Sequence, residues 1–381
     1  MKKLIQYMDK KLLLFTLIFL VAGLVLLGSA SSLRSYMEYG NSFHYFSRQI
    51  IFAIAGLIAM FFICIIPTNK YKSLSWLGII SIIGLLFYVL INGDYNNGIR
   101  GWLNIGPFGV QPSEFAKIIL IVFLATMFES LLKIKEIKNK VIYYLPFLAS
   151  VILVALVFAQ PDAGTAIIIT GITAVIYLVL PIEFKEKLLI GSSVLILGVL
   201  SIIVAFQTDF ISDMQKSRLT NFKDPCSRYR EDSGYQVCNG YIALNQGGLK
   251  GSGVGNSKQK YLYLPEAHTD FIFAVIIEEI GFIGGIIIFL FYFLLIRKIV
   301  SIGSKSYNLR GCIICYGVAA YIVFHIMVNL SGLMGVFPLT GVPLPFFSSG
   351  GSFLITLLAS LGFVQRVAIE NKVFYQKHLV R

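Results

Sequence analysis

Charge is what this sequence has least of. Only 13% of its 381 residues are Asp, Glu, Lys or Arg, against roughly a quarter in soluble chains, which excludes an ordinary soluble domain. The apolar runs lack two-residue alternation, which excludes a transmembrane β-barrel. A nucleotide-binding pattern is absent too. Residues 251–255 (GSGVG) are Gly-rich, but they lack the Lys-Ser/Thr ending of a phosphate loop and a strand before them. The net charge of +13 invites a nucleic-acid partner, yet the basic residues are scattered beside apolar runs rather than gathered in one patch. No nucleic-acid partner is expected.

What is present is hydrocarbon. The chain is 57% hydrophobic with a mean hydropathy of +0.79, and its apolar residues fall in runs of about 17 to 25, the length that crosses a bilayer as a helix. The reading is an all-α polytopic membrane protein, one integral membrane domain over residues 1–381 with about ten transmembrane helices. They are expected near 12–30, 48–66, 75–91, 115–131, 141–159, 163–181, 187–206, 271–296, 311–332 and 351–367. The first run follows MKKLIQYMDKK like a signal peptide, but it exceeds a signal core and nine more spans follow, so it reads as a retained helix.

An N-inside arrangement places about 20 of the 32 basic residues on short inner segments. Among them are Lys10, Lys70, Lys133, Lys185, Arg297, Arg310 and Arg366. The positive-inside rule then makes both termini cytoplasmic. Segments 92–116, 160–165, 207–270 and 332–350 lie outside, with one large outer loop before the eighth span.

The candidate chemistry sits in those outer segments. Glu266, His268, Thr269 and Asp270 end abruptly against the apolar run from Phe271. A carboxylate where water gives way to hydrocarbon can be tuned as a general base or ion site, or can simply end a helix. In 92–117 the Gly and Pro residues forbid a long helix and give a turn-rich loop. There Trp102 suits the membrane interface, Ser113 reads as a helix cap, and Glu114 lies in the first turn. Lys117 stands one turn into the span, either snorkelling outward or pointing into a cavity. Asp162 either caps the next helix or joins the site.

The loop 207–270 carries Arg218, Lys223, Arg228, Arg230, Lys250, Lys258 and Lys260, a basic outer surface suited to an anionic ligand, phosphate above all. It also holds an amphipathic stretch at 235–244. A Cys226–Cys238 disulfide is expected there, because the outer compartment permits one. Cys64, Cys312 and Cys315 lie within spans and read as packing. Prolines 338, 343 and 345 with Gly350-Gly351 make 332–352 irregular, the expected re-entrant wall of a cavity. His325 and Asn329 read as interhelical hydrogen-bond partners. At least one of Glu278 and Glu279 must face the bundle interior.

The runs GIRGWLNIGPFGVQPSEFAK, QPDAGT, GYQVCNGYIALNQGGLKGSGVGNSKQKYLYLPEAHTDFIF and FPLTGVPLPFFSSGGS, in this order, resemble the FtsW/RodA (SEDS) family, closer to its division-type FtsW branch. A sporulation paralogue would look the same. The family commonly has two basic residues where this chain has Arg100-Gly101, and an aromatic where Ser349 stands. The segment around Cys226 also departs from the common form. The resemblance implies an inverting peptidoglycan glycosyltransferase that polymerises lipid II at the outer face of the bacterial cytoplasmic membrane. It also implies a class B penicillin-binding transpeptidase as partner, with other division or elongation proteins. A lipid II flippase or a non-catalytic scaffold would be the rival functions.

Carried residue by residue, the resemblance makes Asp270 the essential acidic residue, and its task here is that of general base. Lys117, Arg100 and Arg218 are expected on the leaving diphosphate, with a divalent cation, Mg or Mn, as a candidate companion. Glu114 would orient Lys117, and Asp162, Glu266 and His268 would complete the substrate contacts.

Overall fold

The computed structural model describes residues 6–96, 99–106, 108–133, 144–187, 225–227, 232–261 and 263–379. Its long helices are α1 (Lys10–Tyr39), α2 (His44–Ile65), α3 (Tyr71–Asn92), α4 (Pro112–Leu132), α5 (Leu145–Ala159), α6 (Ala163–Val179), α7 (Asp232–Gly247), α8 (Ile272–Ser304), α9 (Leu309–Leu333) and α10 (Gly351–Leu379). All but α7 match expected spans. Seven are long and apolar enough to cross a membrane, and α5 and α6 are shorter apolar helices. The expected seventh span falls, apart from residue 187, outside the described residues. Several helices outrun their apolar cores, α1 to Tyr39 and α10 to Leu379, because hydropathy marks the edge of the hydrocarbon rather than the end of the hydrogen bonding.

Apolar helices in a bilayer gain no hydrophobic drive toward one another, so close backbone approach does the work. The contact of α2 with α10 shows it. A Cβ on Gly56 would lie 2.6 Å from the Leu358 side chain, and one on Gly362 would lie 2.8 Å from the Met60 carbonyl. The basic residues that set the expected topology converge at one end. Lys298 pairs with Asp9 at 2.7 Å, Arg310 with Glu129 at 3.0 Å, and Arg366 with Glu370 at 2.9 Å. Gln365 brackets the backbone N–H and C=O of Asp9, so α1 begins beside the middle of α10, whose second half runs on past it, and both termini share one face.

At the opposite face the turn-rich segment folds as a small antiparallel sheet of β1 (Asp94–Asn96), β2 (Ile99–Ile105) and β3 (Phe108–Val110). The amphipathic stretch becomes α7, and Cys238 on it is bonded to Cys226. Helix α8 is broken at Gly281, whose φ of 73° and ψ of 177° leave the helix. The Gly-rich loop fills the break. Ser252 and Gly253 donate to the Glu278 and Glu279 carbonyls, while Phe282 and Ile283 donate to the Gly248 and Leu249 carbonyls. Backbone at membrane depth is tolerated only when satisfied in this way, so the glycines of 248–255 serve packing.

Candidate active site

The site is organised around the irregular segment 334–350. Its prolines stop it forming a helix, so its carbonyls need partners from neighbouring helices. Asn329 on α9 donates to the Val342 carbonyl at 2.8 Å, His325 donates to that of Pro343 at 3.2 Å, and Tyr292 on α8 donates to that of Pro345. Phe346 sits at φ 71°, a costly left-handed conformation for a bulky residue. Its ring stacks on Phe19 of α1 at 4.9 Å, and its carbonyl lies over Gly23, where a Cβ would come to 2.1 Å.

Asp270 is tied to the same segment. Its carbonyl accepts from Asn329 at 2.8 Å, so one amide joins Asp270 to Val342. The preceding carbonyls of His268 and Thr269 accept from the Ser349 amide and the Ser348 hydroxyl. The Asp270 side chain is 8% exposed. One oxygen accepts from the Thr269 hydroxyl at 3.2 Å, and the other lies 3.9 Å from where a Cβ on Gly341 would stand. Gly341 has φ 70°, so glycine suits its backbone.

On the far side of 340–343 lies a buried cluster. Lys117 does not snorkel; it is 0% exposed. Its Nζ contacts Glu114 Oε1 at 2.8 Å and His325 Nε2 at 2.9 Å. The Pro343 carbonyl can only accept, so His325 carries its proton on Nδ1 and offers Nε2 as acceptor to the ammonium. Two of the three ammonium hydrogens are thus engaged. Asp162 does both things considered for it. It caps α6 by accepting from the Thr165 amide at 3.0 Å, and it is buried beside the cluster, where Gln111 donates to it at 3.2 Å. Gly164, two residues on, lets α6 pack directly on Thr340 and Val342.

The other expected site residues are placed differently. Arg100 donates to the carbonyls of Ile91 and Gly93 and so closes the end of α3. Glu266 accepts from the Thr269 hydroxyl and steadies the turn before Asp270. His268 packs against Tyr45 with ring centroids 4.5 Å apart and planes inclined at 44°, and burial pushes its imidazole below the ordinary value against the pull of Glu266 and Glu38. Arg218, Lys223, Arg228 and Arg230 lie outside the described residues. Lys260 corrects the expected basic surface, because it is buried and paired with Glu279 at 2.9 Å. Glu278 and Glu279 are both buried.

The expected divalent cation finds no ready-made cage. Among the described residues no three His, Cys, Asp or Glu side chains converge, Glu114 already holds an ammonium, and Asp162 caps a helix. A cavity of about 450 Å³ lies beside the site between α2, the sheet and the start of α10. His268 and Thr269 line it, and Asp270 stands one residue behind that wall.

Sequence reasoning undervalued His325 and Asn329. They are interhelical partners, but what they bond is the site itself. Two polar residues four apart on an otherwise apolar helix were the available signal.

Known proteins match this chain along nearly its whole length. A family of cell cycle proteins named for FtsW, RodA and SpoVE matches residues 10–373. Stage V sporulation protein E of Bacillus subtilis (strain 168) is 34% identical over 364 residues, 94% of this chain and 96% of that one. A probable peptidoglycan glycosyltransferase FtsW of Coxiella burnetii (strain RSA 493 / Nine Mile phase I) is 33% identical over 378 residues, 96% and 97% of the two chains. Among solved structures, a chain from work on the structural coordination of polymerization and crosslinking by a peptidoglycan synthase complex aligns with a TM-score of 0.76 and 27% identity, covering 96% of this chain and 98% of that one. The rod shape determining protein RodA of Thermus thermophilus aligns at 0.68 and 26%, covering 95% and 96%.

Proposed function

The chain belongs to the FtsW/RodA/SpoVE family of cell cycle proteins, and from that premise we propose that it is a peptidoglycan glycosyltransferase polymerising lipid II at the outer face of the bacterial cytoplasmic membrane. The observation that carries this reading is Lys117, buried in the membrane half nearest Asp270 and held by Glu114 and His325. Even paired with Glu114, a charge buried at membrane depth is costly and points to a functional site. The basic residues at the termini face orient that face to the cytoplasm, which puts Asp270 and Lys117 outside.

In the reaction, the 4-hydroxyl of the acceptor sugar attacks the anomeric carbon of the donor. The bond from that carbon to the diphosphate oxygen breaks, its electron pair leaves with the polyprenyl diphosphate, and the centre inverts. Asp270 takes the hydroxyl proton, worth roughly 10²–10⁴-fold. Lys117, with the Tyr321 ring 5.6 Å from its Nζ, is the cation that offsets the charge developing on the leaving diphosphate, the larger contribution in such reactions. Glu114 orients the ammonium, and neutral His325 adds no competing charge. The polar strut of Asn329 and segment 340–343 holds base and cation in register. No step runs through a metal.

A single-pass class B penicillin-binding transpeptidase is the proposed partner. The similarity to a chain of a peptidoglycan synthase complex supports it. The test supplies the purified protein and such a partner with labelled lipid II and resolves glycan on a gel. Polymer from the wild type and none from Asp270→Asn is expected. Polymer from Asp270→Asn at the wild-type rate would remove the base. Lipid translocation without polymer from the wild type would make the protein a flippase.

A further inference from the structure

The cavity beside the site has a lining that the reaction as described does not use. It is mixed in character. Trp102 supplies an aromatic face, Asn104 and Gln49 supply neutral amides, and Arg48 and Asp94 supply one charge of each sign. A diphosphate site would carry excess positive charge, as the Lys117 cluster does, and a lipid tail would want an apolar wall. An aromatic plane ringed by amides and a balanced pair of charges suits a neutral polyol, which presents C–H groups on one face and hydroxyls at its edge. At about 450 Å³ the cavity falls in the range of small-molecule sites.

The lining is also built. Asn104 pairs with Gly109 across β2 and β3, and the Trp102 ring lies so close over Gly109 that a Cβ there would stand 3.1 Å away. Asn104 donates to Asp94 at 2.9 Å, orienting the carboxylate. Gln49 is buried and bridges the Ser348 carbonyl and the Gly350 amide at 3.3 Å each. His268 is 7% exposed, and its Nδ1 has no partner among the described residues. That atom is itself sealed off, so a ligand meets His268 through the atoms that line the cavity.

We infer that this cavity is a saccharide subsite that holds the acceptor N-acetylhexosamine. Trp102 is its stacking platform, and Asn104 and His268 are its polar contacts. Which sugar enters rests on the glycosyltransferase reading; the sugar-binding chemistry does not. The place is apt, because Thr269 lines the cavity and its hydroxyl lies 3.2 Å from the Asp270 carboxylate, so a sugar seated there is one side chain from the base.

The chain has two tryptophans, so Trp76→Phe leaves Trp102 as the single reporter. Titrating that protein with the N-acetylglucosaminyl-N-acetylmuramyl disaccharide, free of phosphate and lipid, is expected to shift Trp102 emission saturably at about millimolar sugar. Inorganic diphosphate at equal concentration is expected to leave the emission unchanged. Adding Asn104→Ala should weaken the titration about fivefold to tenfold, and Gly109→Val, which displaces the ring, should abolish it. In turnover, Asn104→Ala should raise KM for lipid II about tenfold with kcat within about twofold. No saturable response to the disaccharide, or a response to diphosphate instead, overturns the subsite. Glycan synthesis with no titration sinks the subsite alone; titration without glycan synthesis sinks the glycosyltransferase reading alone.

Discussion

Two buried carboxylates at the same end of the molecule are finished to different degrees. Glu278 is saturated: one oxygen accepts from the Lys258 amide at 2.7 Å and the other from the Ser257 hydroxyl at 2.5 Å, with the Gln259 amide near both. Glu114 spends one oxygen on Lys117, and its other has no partner among the described residues. The first carboxylate organises a loop, drawing 257–259 around itself as backbone amides wrap any anion. The second holds a buried cation that also lies 5.6 Å from the Tyr321 ring. A completed polar network makes structure, and one left open marks where a ligand completes it.

The sharpest way to test that contrast is Lys117→Met. Turnover should fall by about 10²-fold or more, as when a preorganised donor to the leaving charge is lost, with a stability cost of roughly 3–5 kcal/mol for stranding Glu114. The double variant Glu114→Gln/Lys117→Met should regain the stability and stay inactive on the glycan gel. A double variant that polymerises normally would put Glu114 in the same structural class as Glu278.

Glu278→Gln should do the opposite. It turns an amide group toward donors that now meet an oxygen, costing about 3 kcal/mol in a denaturation midpoint, while turnover per folded molecule stays within about twofold. A collapse of turnover at unchanged stability would break the comparison.

The smallest effect belongs to His268. Burial lowers its imidazole below 6.5, so the folded state favours the neutral ring. Above pH 6.5 folded and unfolded chains are both neutral there and nothing is lost. As pH falls below 6.5 the unfolded chain takes up the proton first, and stability declines by at most about 1.4 kcal/mol per pH unit. Melting temperatures at pH 7 and pH 5.5 should therefore differ less in His268→Gln than in the wild type. An equal difference would mean the ring is not held neutral.

Much of the fold was legible because a bilayer demands apolar helices of a set length, and composition alone reports those. Asp270 and Lys117 stood out for a related reason: an ionisable residue at the edge of hydrocarbon is expensive, and the structure buries both. Arg100 gave no such signal, because a cation on an outer loop is cheap, and its hydrogen bonds here close the end of α3. Lys260 misled, since its partner Glu279 is distant in space only until α8 breaks at Gly281.

By itself, then, the chain determined the apolar helices seen among the described residues, the end at which its basic residues gather and the residues able to carry charge, all through the cost of moving polar groups out of water. Which of those groups meet was decided only in three dimensions. Asn329, His325 and the carbonyls of 342–343 join Asp270 to Lys117 across elements more than a hundred residues apart, and no local pattern records a hydrogen bond to a backbone carbonyl that has yet to be brought there.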